Sequence, residues 1–356
     1  AHQHGCVLAA AVNMQTTAEV TLRDDDCIRV ASEGYAPVEI RLDDLSIHED
    51  EKNTTAAIVR GVAAAFQQRG CELRGFDASV RSTVLPGSGL SSSAAFEVLI
   101  GRILNGLCAD NAVSAIEIAQ IGQYAENVYY GKPSGLMDQM ASSVGGLVFI
   151  DFHDPKTPIV EKVDYDFAHS GYTLCTIDAG ADHADLTDEY AAIPVEMKQV
   201  AHAMGVEVLG QVSKEQLWNA LPMLKGKVSD RAILRAFHFV DETERVVEAV
   251  DALKKDDLNA FFKTVIASGE SSWKLLQNLY VASSDNQEMP LALEMSRRML
   301  EGRGAWRIHG GGFAGTILAF VPNDLLETYK KNMNAVFGAN ATTVLAIRPE
   351  GVVCIK

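Results

Sequence analysis

The stretch VLPGSGLSSSAAFEV, residues 84–98, constrains the fold most, because two glycines and four hydroxyl groups lie between two apolar segments. Upstream, residues 76–85 (FDASVRSTVL) alternate apolar and polar side chains and are rich in β-branched residues, which predicts a half-buried strand. Downstream, five residues predict one apolar face of a helix: Phe96, Leu99, Ile100, Ile103 and Leu104. The sequence therefore predicts a glycine-rich loop that joins a strand to the N-terminus of a helix.

Such a junction gathers unpaired backbone N–H groups at the positive end of the helix dipole. Gly87 and Gly89 allow the backbone to approach a ligand without a Cβ atom in the way. The loop therefore predicts a phosphate site, and a plain turn with serine caps is the alternative. It is not a Walker A loop, because no lysine follows Gly89, and it does not match the dinucleotide-binding fingerprint.

The order of the predicted elements indicates an α+β protein of two domains. Four short strand patterns lie in the first 42 residues, and a helix is predicted over 53–70, with Thr54 or Asn53 as its cap and Gly70 as its stop. A chain of 356 residues with 47% apolar content can bury a large core and is long enough for two domains. We place the boundary near residue 165, which gives domains of residues 1–165 and 166–356.

Composition narrows the kind of partner. A net charge of −16 argues against nucleic acid or an anionic membrane, so the expected partner is a small molecule. Six scattered cysteines without a CxxC pair argue against a zinc site and against a disulfide framework. No apolar run approaches the roughly 20 residues of a membrane span, and no signal peptide is evident, so we expect a cytoplasmic protein.

Two carboxylates stand out in AENVYYGKPSGLMDQMASSVGG, residues 125–146. Glu126 lies near the end of a helix predicted over 112–131, and Asp138 follows a glycine-containing break twelve residues later. If both converge on one cleft, one carboxylate suits a divalent cation and the other suits a proton acceptor. The alternatives are a solvated helix residue for Glu126 and a helix N-cap for Asp138.

A third glycine cluster, in IHGGGFAGTILAF (308–320), either supports the same cleft from the second domain or forms a flexible turn.

Together these three segments resemble the motifs of the GHMP small-molecule kinases, and GKPSGLMDQMASSVGG is most similar to the galactokinases. The resemblance covers almost the whole chain. It implies a two-domain α+β fold with mixed sheets and packed helices and with the active site in the cleft between the domains. It also implies an ATP-dependent sugar-1-kinase that uses ATP and Mg²⁺ to phosphorylate the C1 hydroxyl of galactose, with no obligate protein partner. A kinase for another or modified sugar and a non-catalytic sugar and nucleotide sensor are the alternatives.

The resemblance also implies roles for particular residues. Ser92 and Glu126 would bind Mg²⁺, and Asp138 would be the catalytic carboxylate that faces the sugar C1 hydroxyl. Tyr190, in LTDEYAAIP, and Gly135 would contact the sugar, and a half-buried core phenol is the alternative for Tyr190. The implied nucleotide phosphate loop consists of Gly87, Ser88, Gly89, Leu90, Ser91, Ser92, Ser93 and Ala94.

The sequence departs from the family pattern at two places. Pro86 directly precedes Gly87, whereas the family proline usually stands two residues before the first glycine. Residues 1–13 (AHQHGCVLAAAVN) resemble the end of the first family motif, with Ala1 where the family has a sugar-binding aspartate. We therefore expect the catalytic arginine and the sugar ligands of that motif to lie upstream of residue 1.

Overall fold

The computed structural model describes residues 3–84, 89–180, 187–280, 285–313 and 315–355. The chain divides into two compact units, each made of two chain segments. Unit 1 comprises Ala1–Leu8 and Phe149–Ala346, and unit 2 comprises Ala9–Val148 and Ile347–Lys356. Each unit is described by itself below.

This division differs from the single boundary predicted near residue 165. Two features account for the difference: the pairing of an N-terminal strand with later strands, and the return of the C-terminal segment to unit 2. Strand β1 (Cys6–Ala10) belongs to a three-stranded sheet of order β1-β6-β7, with β6 at Leu147–Asp151 and β7 at Ile159–Val163. The chain returns to unit 2 at Ile347, and the N–H of the next residue, Arg348, donates to Ala11 O over 2.9 Å while its carbonyl accepts from Gly146 N over 2.8 Å. Contacts that are distant in sequence therefore define the units.

Unit 2 packs helices on one face of a mixed sheet. Its strands follow the order β2 (Thr16–Leu22), β5 (Phe76–Ser82), β3 (Cys27–Ser32) and β4 (Val38–Arg41). The β3–β5 pair is parallel, whereas β2–β5 and β3–β4 are antiparallel. The helices are α1 (Thr55–Gln68), α2 (Ser92–Cys108), α3 (Ala115–Tyr124) and α4 (Met137–Val144), with a π-helical turn at Ala125–Tyr130. The shared core includes Ile28, Val62, Phe76, Ile100 and Ile121.

The signals that delimit α1 act as predicted. Thr54 is the N-cap, and its hydroxyl accepts a hydrogen bond from Ala57 N. Gly70, just past the helix, has a φ of +81°, a left-handed conformation that glycine adopts without steric cost.

Unit 1 combines an antiparallel sheet with a larger set of helices. The sheet has the order β11 (Thr342–Leu345), β8 (Tyr172–Asp178), β10 (Thr316–Pro322) and β9 (Ala305–Ile308). The helices are α5 (Thr187–Ala203), α6 (Lys214–Leu224), α7 (Asp230–Lys254), α8 (Leu258–Ser271), α9 (Glu288–Leu300) and α10 (Leu326–Phe337). The prediction of an α+β chain with mixed sheets and packed helices is therefore confirmed. Within the described residues, no helix combines the length and the apolarity needed to cross a membrane.

Candidate active site

The glycine loop of unit 2 leads from β5 into α2, as the sequence predicts. Gly87 and Ser88 lie outside the described residues, whereas Gly89, with a φ of +74°, is described. Ser91 is the N-cap residue of α2 and is itself left-handed, with φ 56° and ψ 61°. Its hydroxyl makes no capping bond to α2 and donates instead to Asp138 Oδ2. The serine cap of the plain-turn alternative is therefore wrong for Ser91, whose hydroxyl leaves the N–H groups in the first turn of α2 to other acceptors.

Asp138 lies in the first turn of α4, and its N-cap alternative is wrong. The helix begins at Met137 and its N-cap residue is Leu136, so Asp138 already has helical backbone geometry. Its carboxylate is partly exposed and accepts the hydrogen bond of a serine 47 residues earlier in the chain. The structure thus brings the glycine loop and the GLMDQ segment into direct contact.

Glu126 is buried, so its alternative as a solvated helix residue is wrong. It lies in the π-helical turn after α3, and its side chain is 5% exposed. Oε2 accepts a hydrogen bond from Gln139 Nε2 over 3.0 Å. Oε1 lies 3.6 Å from Lys132 Nζ, on a side chain that is 63% exposed. One oxygen of Glu126 is therefore held by a buried amide, and the other faces the ammonium group of an exposed lysine.

Glu97 is a site residue that the sequence analysis missed. It is fully buried on α2, and its Oε2 accepts from the same Gln139 Nε2 over 2.9 Å. Burial raises the pKa of the Glu97 carboxyl to about 8, and the nearby charge of Glu126 adds to that shift. A signal was present, because Glu97 precedes buried Ile100 and Leu104 by three and seven positions, which places an acidic side chain on the apolar face of the helix.

Hydrogen bonds fix the loop between the π-helical turn and α4. Ser134 N donates to Asn127 Oδ1 over 2.7 Å, and Gln123 Nε2 donates to Ser134 O over 3.0 Å. Gly131 ends the π-helical turn with a φ of +89°. Gly135, a predicted sugar contact, directly follows Ser134, whose backbone N–H and C=O are both hydrogen-bonded.

The donor set of unit 2 suits a hard cation that shares its ligands with phosphate. Within the described residues no group of three or more His, Cys, Asp or Glu side chains could hold a metal ion alone. Mg²⁺ in nucleotide-dependent enzymes usually takes one or two protein oxygens, with substrate phosphates and water completing the octahedron. Glu126 could supply one such oxygen, Oε1, if the exposed Lys132 ammonium moved away from it. Ser92, the other predicted ligand, opens α2.

In unit 1, Tyr190 lies against the third glycine cluster. Tyr190 is on α5 and is 49% exposed. A Cβ atom added to Gly311 would lie 2.5 Å from Tyr190 Cε2, so the ring covers the glycine backbone. Asn278 anchors the same loop, because its Nδ2 donates to Gly311 O over 3.0 Å and its carbonyl accepts from Phe313 N over 2.8 Å. Asn278 and Tyr190 therefore contact the described part of the cluster at Gly311 and Phe313.

Known proteins match both the sequence and the fold. The family of the GHMP kinases N terminal domain matches residues 57–146, all within unit 2. A galactokinase of Glaesserella parasuis serovar 5 (strain SH0165) is 32% identical over 340 residues, which cover 93% of this chain and 83% of that protein. The chain belongs to the galactokinases, within the GHMP kinases. A galactokinase of Streptomyces coelicolor is also 32% identical, over 95% of this chain and 84% of that protein.

Solved structures extend this family relationship to the fold. A Lactococcus lactis galactokinase complexed with galactose superposes with a TM-score of 0.85 at 23% identity, over 98% of this chain and 89% of that chain. A mevalonate kinase superposes with a TM-score of 0.67 at 14% identity. The GHMP kinase resemblance read from the three motifs is therefore confirmed, and the two-domain GHMP fold with it.

Proposed function

We propose that this protein transfers the γ-phosphate of ATP to the C1 hydroxyl group of galactose, giving galactose 1-phosphate and ADP. The observation that carries the proposal is the hydrogen bond from Ser91 to Asp138. It joins the predicted phosphate loop to the predicted catalytic carboxylate within one unit. The curated relatives named galactokinase, and the Lactococcus lactis galactokinase solved with galactose, support the choice of sugar.

The N-terminus of α2 would bind the phosphates of ATP. Ser91 donates to Asp138 and does not cap the helix, so the N–H groups of Ser92, Ser93 and Ala94 lie at the positive end of an uncapped helix dipole. Gly89, two residues before the N-cap residue Ser91, has the left-handed backbone that glycine adopts without steric cost. Backbone N–H groups in this arrangement stabilise phosphate charge without a side chain that must be desolvated.

Mg²⁺ bound with ATP would neutralise charge that develops on the phosphates during transfer. Ser92 Oγ and Glu126 Oε1 are the protein oxygens that we assign to it. Glu126 Oε2 is already used by Gln139, which leaves Oε1 as the oxygen for the cation.

Asp138 would orient the C1 hydroxyl and accept its proton. Oδ2 accepts the hydrogen bond of Ser91, so we assign Oδ1 to the substrate. As the sugar O1–Pγ bond forms, the bond between Pγ and the bridging β,γ-oxygen breaks, and its electron pair leaves with ADP. The hydroxyl proton passes to the Asp138 carboxylate. Gly135, in the same unit as Asp138, would contact the sugar ring, and a sugar contact of Tyr190 stays a prediction of the family resemblance.

A sugar panel tests the proposal. The purified protein is incubated with ATP and Mg²⁺ and with galactose, glucose, galactosamine or mevalonate, and both ADP and the phosphorylated product are quantified. We expect transfer to galactose and none to glucose. Transfer to a different acceptor assigns the protein to another GHMP kinase activity. Binding of galactose and ATP without product formation contradicts the enzyme and supports a sensor.

A further inference from the structure

One buried amide group serves two carboxyl groups in unit 2. Gln139 is 2% exposed, and its Nε2 donates to Glu97 Oε2 over 2.9 Å and to Glu126 Oε2 over 3.0 Å. Glu97 is fully buried, and Glu126 is 4% exposed. The three side chains come from α2, the π-helical turn and α4, so a single nitrogen joins three separate elements.

The neighbouring helix α3 leaves room for this cluster. A Cβ atom at Gly122 would lie 3.1 Å from Glu97 Cβ and 3.2 Å from Glu97 Oε2, closer than ordinary van der Waals contact. It would also lie 3.4 Å from Gln139 Cγ. Glycine at position 122 therefore permits a close approach that a larger residue would hinder.

The cluster lowers the stability of the folded protein. Glu97 Oε1 and Gln139 Oε1 are buried and have no hydrogen-bond partner within the described residues. Unpaired buried polar atoms destabilise a folded protein by about 1–3 kcal/mol each. Apolar side chains of similar volume would fill the same space without that cost. The arrangement therefore indicates a role other than stability.

We propose that Gln139 and Glu97 are positioning residues for Glu126, an inference that rests on the proposed function. A primary amide has two N–H bonds at a fixed angle, and both are used here. Glu97 holds one of them, which prevents the amide from rotating its oxygen toward Glu126. The other N–H holds Glu126 Oε2, so Oε1 is presented to Mg²⁺ in a constant orientation. Mutation of the hydrogen-bond partners of metal-ligating side chains typically weakens metal binding 10–100-fold.

The first test replaces the amide. Gln139→Met keeps the length of the side chain and removes both hydrogen bonds. Mn²⁺ is titrated into the full-length protein with ADP, and free Mn²⁺ is measured by electron paramagnetic resonance, a readout that does not depend on turnover. We expect the Kd for Mn²⁺ to rise about tenfold or more. Gln68→Met, which changes an exposed glutamine at the end of α1, is the matched control and should bind Mn²⁺ normally.

The second test separates positioning from stability. In Gln139→Met two buried carboxyl groups lose their donor, and the variant is expected to be less stable. The double variant Gln139→Met/Glu97→Leu removes one of those carboxyl groups and fills the space with apolar atoms. We expect its unfolding midpoint to recover toward that of the unaltered protein while its Kd for Mn²⁺ stays about tenfold weaker. Recovery of both quantities would show that Glu97 and Gln139 act only in folding and would overturn the proposal.

Failure of the positioning proposal and failure of the proposed function give different results. If the unaltered protein binds Mn²⁺ and ADP but transfers no phosphate to galactose, the proposed function is wrong and the Mn²⁺ comparison still applies. If it phosphorylates galactose and Gln139→Met binds Mn²⁺ within twofold of normal, the function stands and the positioning role is wrong.

Discussion

Two carboxyl groups of unit 2 have opposite surroundings. Asp138 is partly exposed and accepts a hydrogen bond from a serine hydroxyl, whereas Glu97 is fully buried and shares the amide nitrogen of Gln139. A carboxyl group that meets substrate must exchange contacts during each turnover, and solvent access allows this. A carboxyl group enclosed by helices keeps its contacts. The environment of each side chain therefore favours a chemical role for Asp138 and an orienting role for Glu97.

For Asp138, replacement by asparagine should abolish proton acceptance while shape is kept. We expect Asp138→Asn to lower kcat for galactose phosphorylation by about 10²-fold or more and to leave both KM values within a modest factor. Steady-state kinetics with ATP and galactose give the comparison. Asp154→Asn, at an exposed position of unit 1, is the matched control. Near-normal turnover of Asp138→Asn would contradict the catalytic role.

For Glu97, the raised pKa predicts a pH-dependent stability. Its carboxyl titrates near 4.5 when unfolded and at about 8 when folded, so between these values the unfolded state releases a proton that the folded state keeps. The stabilisation is therefore complete below about pH 4.5, declines as pH rises to about 8, and is lost above it. The slope is at most about 1.4 kcal/mol per pH unit. Glu97→Gln cannot ionise, so we expect its urea-unfolding free energy to lack this decline. Parallel pH profiles of the two proteins would contradict the shift.

The sequence predicts the residues that lie in local patterns better than the residues that pair across the chain. The loop rich in glycine and serine predicted Ser91, and the GLMDQ segment predicted Asp138, because both residues lie in local sequence patterns. Glu97 and Gln139 are 42 residues apart and meet through one hydrogen bond, which local periodicity does not reveal. The sequence alone showed an acidic residue among apolar ones, and only its partner explains it.

At the scale of elements, local signals predict a helix well where a cap or turn residue ends it, and a strand well where apolar and polar residues alternate. Strand β3 runs from Cys27 to Ser32, within the first 42 residues where strands are predicted, and Thr54 caps α1 as predicted. The helix predicted over 112–131 is instead α3 followed by a π-helical turn. A Cβ atom at Gly61 of α1 would lie 2.9 Å from Ala125 Cα, so α1 packs unusually closely where that turn begins. Packing of this kind involves a distant segment, which explains why the sequence did not predict the widened turn.

The contact between Gly311 and Tyr190 in unit 1 allows the predicted sugar contact of Tyr190 to be tested. A methyl group at Gly311 would displace the Tyr190 ring, and the Gly311 backbone itself does not require glycine because its φ is not positive. We expect Gly311→Ala to raise the KM for galactose about fivefold, equivalent to about 1 kcal/mol, and to leave the KM for ATP unchanged.

A double variant shows whether that effect acts through the tyrosine. In a Tyr190→Ala background the methyl group meets no ring, so adding Gly311→Ala should raise the KM for galactose no further. Additive effects of the two changes would show that Gly311 and Tyr190 act independently. A normal KM for galactose in Gly311→Ala alone would remove the loop from sugar binding.

At the scale of the whole molecule, residues 347–356 complete unit 2. Val352 N donates to Ser143 O over 3.3 Å, which satisfies a carbonyl in the last turn of α4. A Cβ atom on Gly351 would lie 1.9 Å from the same carbonyl oxygen. Gly145, the C-cap residue of α4, has a φ of +77°, and a Cβ atom there would lie 2.1 Å from Gly351 N. The helix that carries Asp138 and Gln139 therefore ends against a segment about 200 residues later.

This backbone contact predicts a large effect of a small substitution. We expect Gly351→Ala to lower the free energy of unfolding by about 1–3 kcal/mol, because the methyl group forces the segment away from α4. Gly106→Ala is the control, since its added Cβ would meet only Asn111 Oδ1 at 3.7 Å and alanine favours a helix. Chemical denaturation of both variants gives the comparison. Equal stability of Gly351→Ala and the unaltered protein would contradict the close packing of this segment.

The late return of the chain to α4 sets an order of events during protein synthesis. Ribosomes add about 5–20 residues per second, so the roughly 200 residues between the two segments of unit 2 take about 10–40 s to make. Throughout that interval α4 has left the exit tunnel without the segment that binds its last turn. The nascent chain therefore displays an α4 whose last turn lacks its hydrogen-bond partner until Gly351 and Val352 emerge and dock.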